Sequence, residues 1–364
     1  MKNTPCALIM AGGTGGHIFP ALALARALRS QGWRVHWLGA PQSMESRLIP
    51  PHGFPLELVQ FSGVRGKGWR SLVSLPLRLI RAFWQSRSVM ARVQPDVLIG
   101  FGGYITLPAG LIGAMLGKPL LLHEQNSVAG MANRVLARFA RRVFTAFPNA
   151  FPHGEWIGNP LRQEFLTQAP PADRYAQRQA LPDAHRLRVL VVGGSLGAQA
   201  LNNIVPQALA LIPAEKRPIV THQSGEKQLA TLQANYAAAG VEATLVSFID
   251  NTAQAFADAD WVICRAGAST VTELLAVGTA AAFVPFPAAV DDHQTHNARF
   301  VTDAGGGWLL PQRELTPEKL ADLLQNTERT ALLERAFKAQ NIAKIQATEL
   351  LAAACQSMVF THSK

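Results

Sequence analysis

The chain has 364 residues and only three cysteines, Cys6, Cys264 and Cys355, which stand far apart and form no C-x-x-C pair. That spacing argues against a disulfide framework and against a zinc site, and it fits a reducing compartment. Long apolar runs are also lacking. The two longest, 107–116 and 274–290, are too short or are broken by Gly278, Pro285 and Pro287, whereas a spanning helix needs about 20 apolar residues. The N-terminus offers one lysine and a short apolar run leading straight into glycines, without the apolar core and cleavage site of a signal peptide. The expectation is a protein that carries no export signal. Acid is missing from one whole segment: between Glu57 and Asp96 there is none, while Arg65, Lys67, Arg70, Arg78, Arg81, Arg87 and Arg92 all occur.

Two nucleotide motifs are absent as well. A dinucleotide fingerprint needs G-x-G-x-x-G, but counting from Gly13 the sixth position is Ile18, and no acid follows the second strand to hold a ribose. A P-loop needs G-K-[ST], and the two Gly-Lys pairs, Gly66-Lys67 and Gly117-Lys118, are followed by Gly and Pro. Dehydrogenase and nucleoside-triphosphatase chemistry are therefore disfavoured.

The net charge of +10 is unevenly placed. Residues 1–160 hold 17 Lys and Arg against 5 Asp and Glu, and the remainder holds 17 against 19. A basic first half attracts nucleic acid, anionic lipid or a phosphorylated substrate. Around residues 72–84 apolar side chains recur at helical spacing, at 75, 79 and 83 and at 73, 77, 80 and 84, edged by Arg78, Arg81 and Arg87. Trp69, Phe83 and Trp84 add aromatics. Such a helix can lie on an anionic leaflet, or it can be a core helix with a solvated basic rim. Pro76 marks either a helix start or a kink.

Apolar β-rich runs alternate with helical patterns along the chain, which implies βαβ units and parallel sheets, an α/β fold. One pattern occurs twice. "CALIMAGGTGGHIFPALALARAL" and "VLVVGGSLGAQALNNIVPQAL" both run strand, double glycine, hydroxyl residue, glycine, helix. Two such starts, about 180 residues apart, predict two doubly wound domains, with the proline-rich stretch 158–183 as the linker. The boundaries expected are 1–160 and 161–339, and the last helix, about 340–364, can pack back on the first domain.

Glycine-rich turns at the carboxyl ends of strands let amide N–H groups and a helix N-terminus face an anion. His17 follows the first of them, where it can act as a general base or merely cap the helix. In "CRAGASTVTELLAVG", Gly267 turns the chain, and Ala268, Ser269 and Thr270 open a helix whose first amides can hold a diphosphate. Glu273, one turn in, can accept from the hydroxyls of a ribose or simply complement the helix dipole. Asp258-Ala259-Asp260 matches a metal-binding D-x-D formally, and Asp291-Asp292 forms a second acidic pair, but the first flanks the start of a strand, not the ligand-binding end.

Taken in order and spacing, "AGGTGGHIFPALALA", "SGVRGKG", "GFGGYITLPAG", "HEQNSVAGMANR", "GNPLR", "VVGGSLGAQALN", "HQSGEK", "SFIDN" and "CRAGASTVTE" resemble the MurG family of bacterial cell-wall glycosyltransferases over nearly the whole chain. The resemblance implies two Rossmann-like domains facing a cleft, the GT-B fold, and a metal-independent, cofactor-free, inverting hexosyltransferase. It implies transfer of N-acetylglucosamine from UDP-N-acetylglucosamine to lipid I, undecaprenyl-diphospho-N-acetylmuramoyl-pentapeptide, giving lipid II. A UDP-N-acetylglucosamine 2-epimerase on the same fold is the alternative. The expected partners are the sugar nucleotide, lipid I and an anionic membrane surface at the cytoplasmic face of the inner membrane, and not nucleic acid.

Position by position, Thr14, Gly15 and Gly16 match a donor-contacting segment, as does Asn126 of "HEQN". Arg162 matches a residue that reaches the nucleotide, Ser195 a phosphate contact, and Ile249 the residue whose backbone reads the uracil edge. Ala268, Ser269, Thr270, Val271, Thr272 and Glu273 match the diphosphate-holding helix start, with Glu273 on the ribose. Gln294 matches a glutamine near the sugar, and His17 the base. One position departs: His293 stands where the family has the first of two paired glutamines.

Overall fold

Short β-branched runs that are apolar on both faces make buried parallel strands, and the glycine turns after them feed helices back across the sheet. The computed structural model describes residues 4–61, 63, 74–194 and 197–360. It divides into two units, Met1–Arg162 with Lys344–Lys364, and Gln163–Ala343.

In the first unit the elements are β1 (Cys6–Ala11), α1 (Gly15–Ser30), β2 (Arg34–Gly39), α2 (Met44–Leu48), β3 (Leu56–Leu58) and α3 (Leu75–Val93). They continue with β4 (Val97–Gly102), α4 (Thr106–Met115), β5 (Leu120–Glu124), α5 (Met131–Leu136), β6 (Arg142–Thr145) and β7 (Glu155–Trp156). The sheet order is β3-β2-β1-β4-β5-β6-β7, parallel throughout. β1 is an interior strand: Ile9 pairs with Trp37 on one side and Ile99 on the other, and all six of its residues are fully buried.

The second unit runs α6 (Gln163–Leu166), α7 (Pro171–Gln179), β8 (Arg188–Val192), α8 (Gln199–Ala210), β9 (Ile219–Gln223), α9 (Leu229–Ala239) and β10 (Thr244–Val246). Then come α10 (Thr252–Asp258), β11 (Trp261–Cys264), α11 (Ala268–Val277), β12 (Ala280–Phe283), α12 (His293–Thr302), β13 (Gly307–Leu309), α13 (Pro317–Asn326) and α14 (Arg329–Asn341). Its sheet, β10-β9-β8-β11-β12-β13, is also parallel. Both units are thus doubly wound, as the alternation predicts. The final helix, α15 (Ala347–Phe360), belongs to the first unit, where Leu351 and Cys355 are buried in one cluster with Ile9, Leu24 and Trp37.

The acidic D-x-D segment holds the second unit together. The Asp260 carboxylate is fully buried and accepts from Arg178 Nε at 2.7 Å, from Arg329 Nη2 at 3.0 Å and from the Arg188 amide at 2.8 Å. Its oxygens are engaged by two guanidinium groups that tie α7 and α14 to the start of β8. Asp258 instead accepts from Gln254 on the surface of α10.

Pro76 lies in the first turn of α3, where a missing amide is no loss, so it marks a helix start and not a kink. Of the apolar rows on this helix, Leu77, Ile80 and Trp84 are 74%, 53% and 68% exposed, while the helix faces the core through Ala82, Val89, Met90 and Val93. Arg81 and Arg87 are exposed beside them, and the Arg78 guanidinium lies 6.0 Å from the Phe61 ring. Arg65, Lys67, Trp69, Arg70 and Val73 lie outside the described residues.

Candidate functional site

In a doubly wound sheet the crevice forms where the strand order reverses, at the carboxyl ends of the two central strands. In the first unit that point lies between β1 and β4, and both strands run into glycine. Gly102 and Gly103 have φ of +106° and +89°, and a Cβ on Gly103 would lie 2.4 Å from the carbonyl oxygen of Gly12. The Gly12 amide donates to Gly102 O at 3.3 Å. Two bare loops therefore lie against each other, which answers why so much side chain is missing there.

Helix α1 starts from this junction. Thr14 is its N-cap, in extended backbone and without a side-chain capping bond, and Gly15 and Gly16 are its first two residues. His17 comes third, half-buried, with its ring against β4: a Cβ on Gly102 would sit 3.0 Å from His17 Cε1. His17 Nδ1 is 2.6 Å from Gln125 Oε1. Gln125 Nε2 is in turn 3.0 Å from His123 Nδ1 and 2.8 Å from His123 O, and His123 Nε2 is 2.8 Å from Gly158 O. Full burial lowers the His123 pKa to about 4, so its ring is neutral at physiological pH.

The neighbouring "HEQN" residues shape the loop after β5. The buried Glu124 carboxylate accepts from the Asn126 amide at 3.0 Å, Asn126 Nδ2 at 3.3 Å, the Gly130 amide at 3.0 Å and Asn133 Nδ2 at 2.9 Å. Four N–H donors take the place of water around that charge. Asn126 is half-buried in this loop, and Arg162 stacks its guanidinium 5.6 Å from the Phe19 ring of α1. Three further residues at this junction escaped the sequence reading: Gln125, Glu45 and Tyr104, whose ring is 53% exposed and lies close over Gly13 and Gly63. The first two are polar groups whose partners lie 108 and 32 residues away.

In the second unit the reversal lies between β8 and β11. Gly193, Gly194 and Gly197 form the turn after β8, and a Cβ on Gly197 would fall 2.0 Å from Ser224 O. Ser195 lies outside the described residues. Behind the turn, Asn202 donates to Ser224 O at 3.1 Å and accepts from His222 Nε2 at 3.1 Å, while His222 Nδ1 faces Tyr236 Oη at 3.0 Å. Burial lowers the His222 pKa to about 3.

After β11 the chain turns at Gly267, the N-cap of α11, which has no side chain to satisfy the helix. The first amides of a helix have no partner within it, so those of Ala268, Ser269 and Thr270 are unpaired within α11. Ser269 Oγ is buried and has no hydrogen-bond partner among the described residues. A buried hydroxyl without a partner costs about 1–3 kcal/mol, so an acceptor brought to it is favoured. Val271 is fully buried in the core with its amide on Gly267 O at 2.9 Å, and Thr272 Oγ1 donates to Ala268 O at 2.9 Å, so the groups of both residues are spent within the fold. Glu273 is half-buried on the same helix.

The second unit adds a cation at this turn that the sequence reading did not single out. Arg265 donates through Nη1 to Val284 O at 3.0 Å and through Nη2 to Gln312 Oε1 at 2.7 Å, so its charge is fixed one residue past β11. Gln294, on α12, accepts from the Phe286 amide at 2.9 Å and closes the loop 286–294. Within that loop Asp291 and Asp292 have φ of +52° and +50°, a conformation that costs about 1–2 kcal/mol per L-residue. Ile249 lies half-buried in the loop after β10, its carbonyl 3.4 Å from Thr252 Oγ1.

Residues 7–145 match the glycosyltransferase family 28 N-terminal domain, and residues 188–352 match the family 28 C-terminal domain. A UDP-N-acetylglucosamine–N-acetylmuramyl-(pentapeptide) pyrophosphoryl-undecaprenol N-acetylglucosamine transferase of Paracidovorax citrulli is 65% identical over 358 residues, covering 98% of this chain and 99% of that one. Its counterpart in Albidiferax ferrireducens is 64% identical over 358 residues, covering 97% and 91%. Among solved structures, MurG of Acinetobacter baumannii superposes with a TM-score of 0.84 at 40% identity, covering 97% of this chain and 99% of that one.

Proposed function

The chain belongs to glycosyltransferase family 28, in its MurG branch, and from that premise we propose how its residues share the reaction. It is a hexosyltransferase that moves N-acetylglucosamine from UDP-N-acetylglucosamine to lipid I in peptidoglycan synthesis. The relatives carry the transferase name, and the epimerase alternative is set aside.

The donor diphosphate sits on the amides of Ala268, Ser269 and Thr270, with Ser269 Oγ donating to a phosphate oxygen and Ser195 and Arg162 adding contacts. Glu273 takes the ribose hydroxyls, the Ile249 backbone reads the uracil edge, and Gln294 offers its amide nitrogen to the sugar. Thr14, Gly15, Gly16 and Asn126 complete the donor contacts. The observation that carries this assignment is the buried, unpartnered Ser269 hydroxyl beside three open helix amides. Fixed dipoles of this kind stabilise the charge that grows as UDP leaves, without reorganising. No metal is needed for the departure.

The acceptor's 4-hydroxyl attacks C1 in line, inverting the α-linked donor to a β-1,4 product, and its proton passes to His17. Membrane contact is made by the exposed Leu77, Ile80 and Trp84 row with Arg81 and Arg87, on the anionic cytoplasmic leaflet. The test is incubation with labelled UDP-N-acetylglucosamine and a lipid-linked acceptor. Label moving to the acceptor is expected; release of N-acetylmannosamine instead would overturn the reading.

A further inference from the structure

We propose that Gln125 and His123 are positioning residues that hold neutral His17 in one tautomer, with hydrogen on Nδ1 and the lone pair on Nε2. The proposal deepens the assignment of His17 as the base and rests on it. In water a neutral histidine side chain favours the other tautomer, with hydrogen on Nε2, which presents no lone pair on the outer nitrogen. A base at this position needs the reverse.

The direction of every bond follows from the far end of the chain of contacts. Gly158 O can only accept, so His123 Nε2, 2.8 Å away, carries a hydrogen. His123 is buried and neutral, so its Nδ1 is bare and accepts from Gln125 Nε2 at 3.0 Å. The second hydrogen of that amide goes to His123 O at 2.8 Å. Turning the amide over would press its oxygen against this carbonyl oxygen. Gln125 Oε1 therefore faces His17 Nδ1 at 2.6 Å as an acceptor, and His17 Nδ1 must supply the hydrogen.

The relay is held at its far end. Gly158 has φ of +88°, and a Cβ there would lie 2.4 Å from Lys344 O, so the terminal acceptor cannot shift easily. Gln125 and His123 are both fully buried, which leaves no water to take over a broken link. When the acceptor hydroxyl is deprotonated, its O–H bond breaks, the proton joins the lone pair of His17 Nε2, and the oxygen bonds to C1 as the C1–phosphate bond breaks. The resulting imidazolium keeps its Nδ1–H on Gln125 Oε1, a bond that strengthens as charge develops.

The tautomer is read directly from two-bond ¹H–¹⁵N correlation spectra of the full-length protein labelled with [¹⁵N]histidine, the His17 signals being identified by their loss in His17→Asn. A protonated Nδ1 and bare Nε2 are expected; a protonated Nε2 in the wild type overturns the proposal. Gln125→Met removes the acceptor: the His17 signals should change to the Nε2-protonated pattern, and kcat should fall ~10-fold or more, part of the roughly 10²–10⁴-fold that general-base catalysis supplies, while KM for UDP-N-acetylglucosamine stays within about 2-fold. An unchanged kcat in Gln125→Met counts against the proposal. If His17→Ala turns over normally, the base assignment fails while the spectrum still decides the tautomer.

Discussion

Glu45 Oε2 accepts a hydrogen bond from the amide of Gly13 at 3.1 Å, from beneath the first glycine loop. Its Oε1 accepts from the Ala40 amide at 3.0 Å, and the side chain fills the space that a Cβ on Gly12 or Gly39 would need. One loop amide is thus already taken, and a carboxylate lies behind it. This loop suits a histidine and a sugar hydroxyl better than a phosphate. Glu45→Gln turns one acceptor into a donor facing an amide, and a lost buried acceptor costs about 1–3 kcal/mol. The expected outcome is a lower melting temperature with unchanged UDP affinity; a fall in affinity at constant stability would place phosphate on this loop after all.

The Ser269 hydroxyl gives a prediction of opposite sign. Removing a buried hydroxyl that has no partner relieves the free protein, whereas a hydrogen bond to a charged phosphate is worth about 1.5–3 kcal/mol. Ser269→Ala should leave the unliganded protein as stable as before or slightly more so, and weaken UDP binding ~10-fold or more. Thermal unfolding of the free protein reads the first part and calorimetric titration with UDP the second. Equal affinity in the two proteins would remove Ser269 from the diphosphate site.

His123 and His222 set an acid limit on the fold. Their folded pKa values, about 4 and about 3, lie below the ordinary 6.5, so below pH 6.5 the unfolded chain binds protons that the folded one does not. Stability is complete above pH 6.5 and drains away as pH falls, down to about 4 for His123 and about 3 for His222. Between pH 6.5 and 5 each should contribute a loss of about 2 kcal/mol. Urea unfolding at the two pH values measures it. His222→Gln should show the smaller drop, and an identical drop would mean that His222 is already protonated in the fold.

Charge reversal tests the membrane face. A basic residue near an anionic surface contributes about 1 kcal/mol, so Arg78, Arg81 and Arg87 changed together to Glu should weaken binding to phosphatidylglycerol vesicles by two orders of magnitude or more. Trp84→Ser removes apolar contact and should weaken it further at high salt, where charge is screened. Vesicle sedimentation that is indifferent to both changes would relocate the contact.

The parts of the fold that repeat were legible in the sequence, and the parts that close on each other were not. Strands β1, β4, β8 and β11 announce themselves as apolar runs ending in glycine or at a glycine turn, and the start of α11 at Gly267 follows from the same pattern. β7 is two exposed residues, Glu155 and Trp156, and β3 is three, Leu56–Leu58; neither carries a periodic signal at that length. β10 is likewise three residues, Thr244–Val246, at the sheet edge. Asp260 looked like half of a metal motif because its partners, Arg178 and Arg329, are 82 and 69 residues away. Gln125 stood in plain view between two residues of a motif that the reading did use. Only the placement of His17 beside the end of β5 gives its amide a meaning.

The return of α15 to the first unit has a consequence for how the polypeptide is made. Leu351 and Cys355 pack in the first unit's core, yet they leave the ribosome only after all of Gln163–Ala343 has emerged. The second unit holds its complete set of residues earlier, so during synthesis the later-encoded half can finish folding while the earlier half still waits for its last helix.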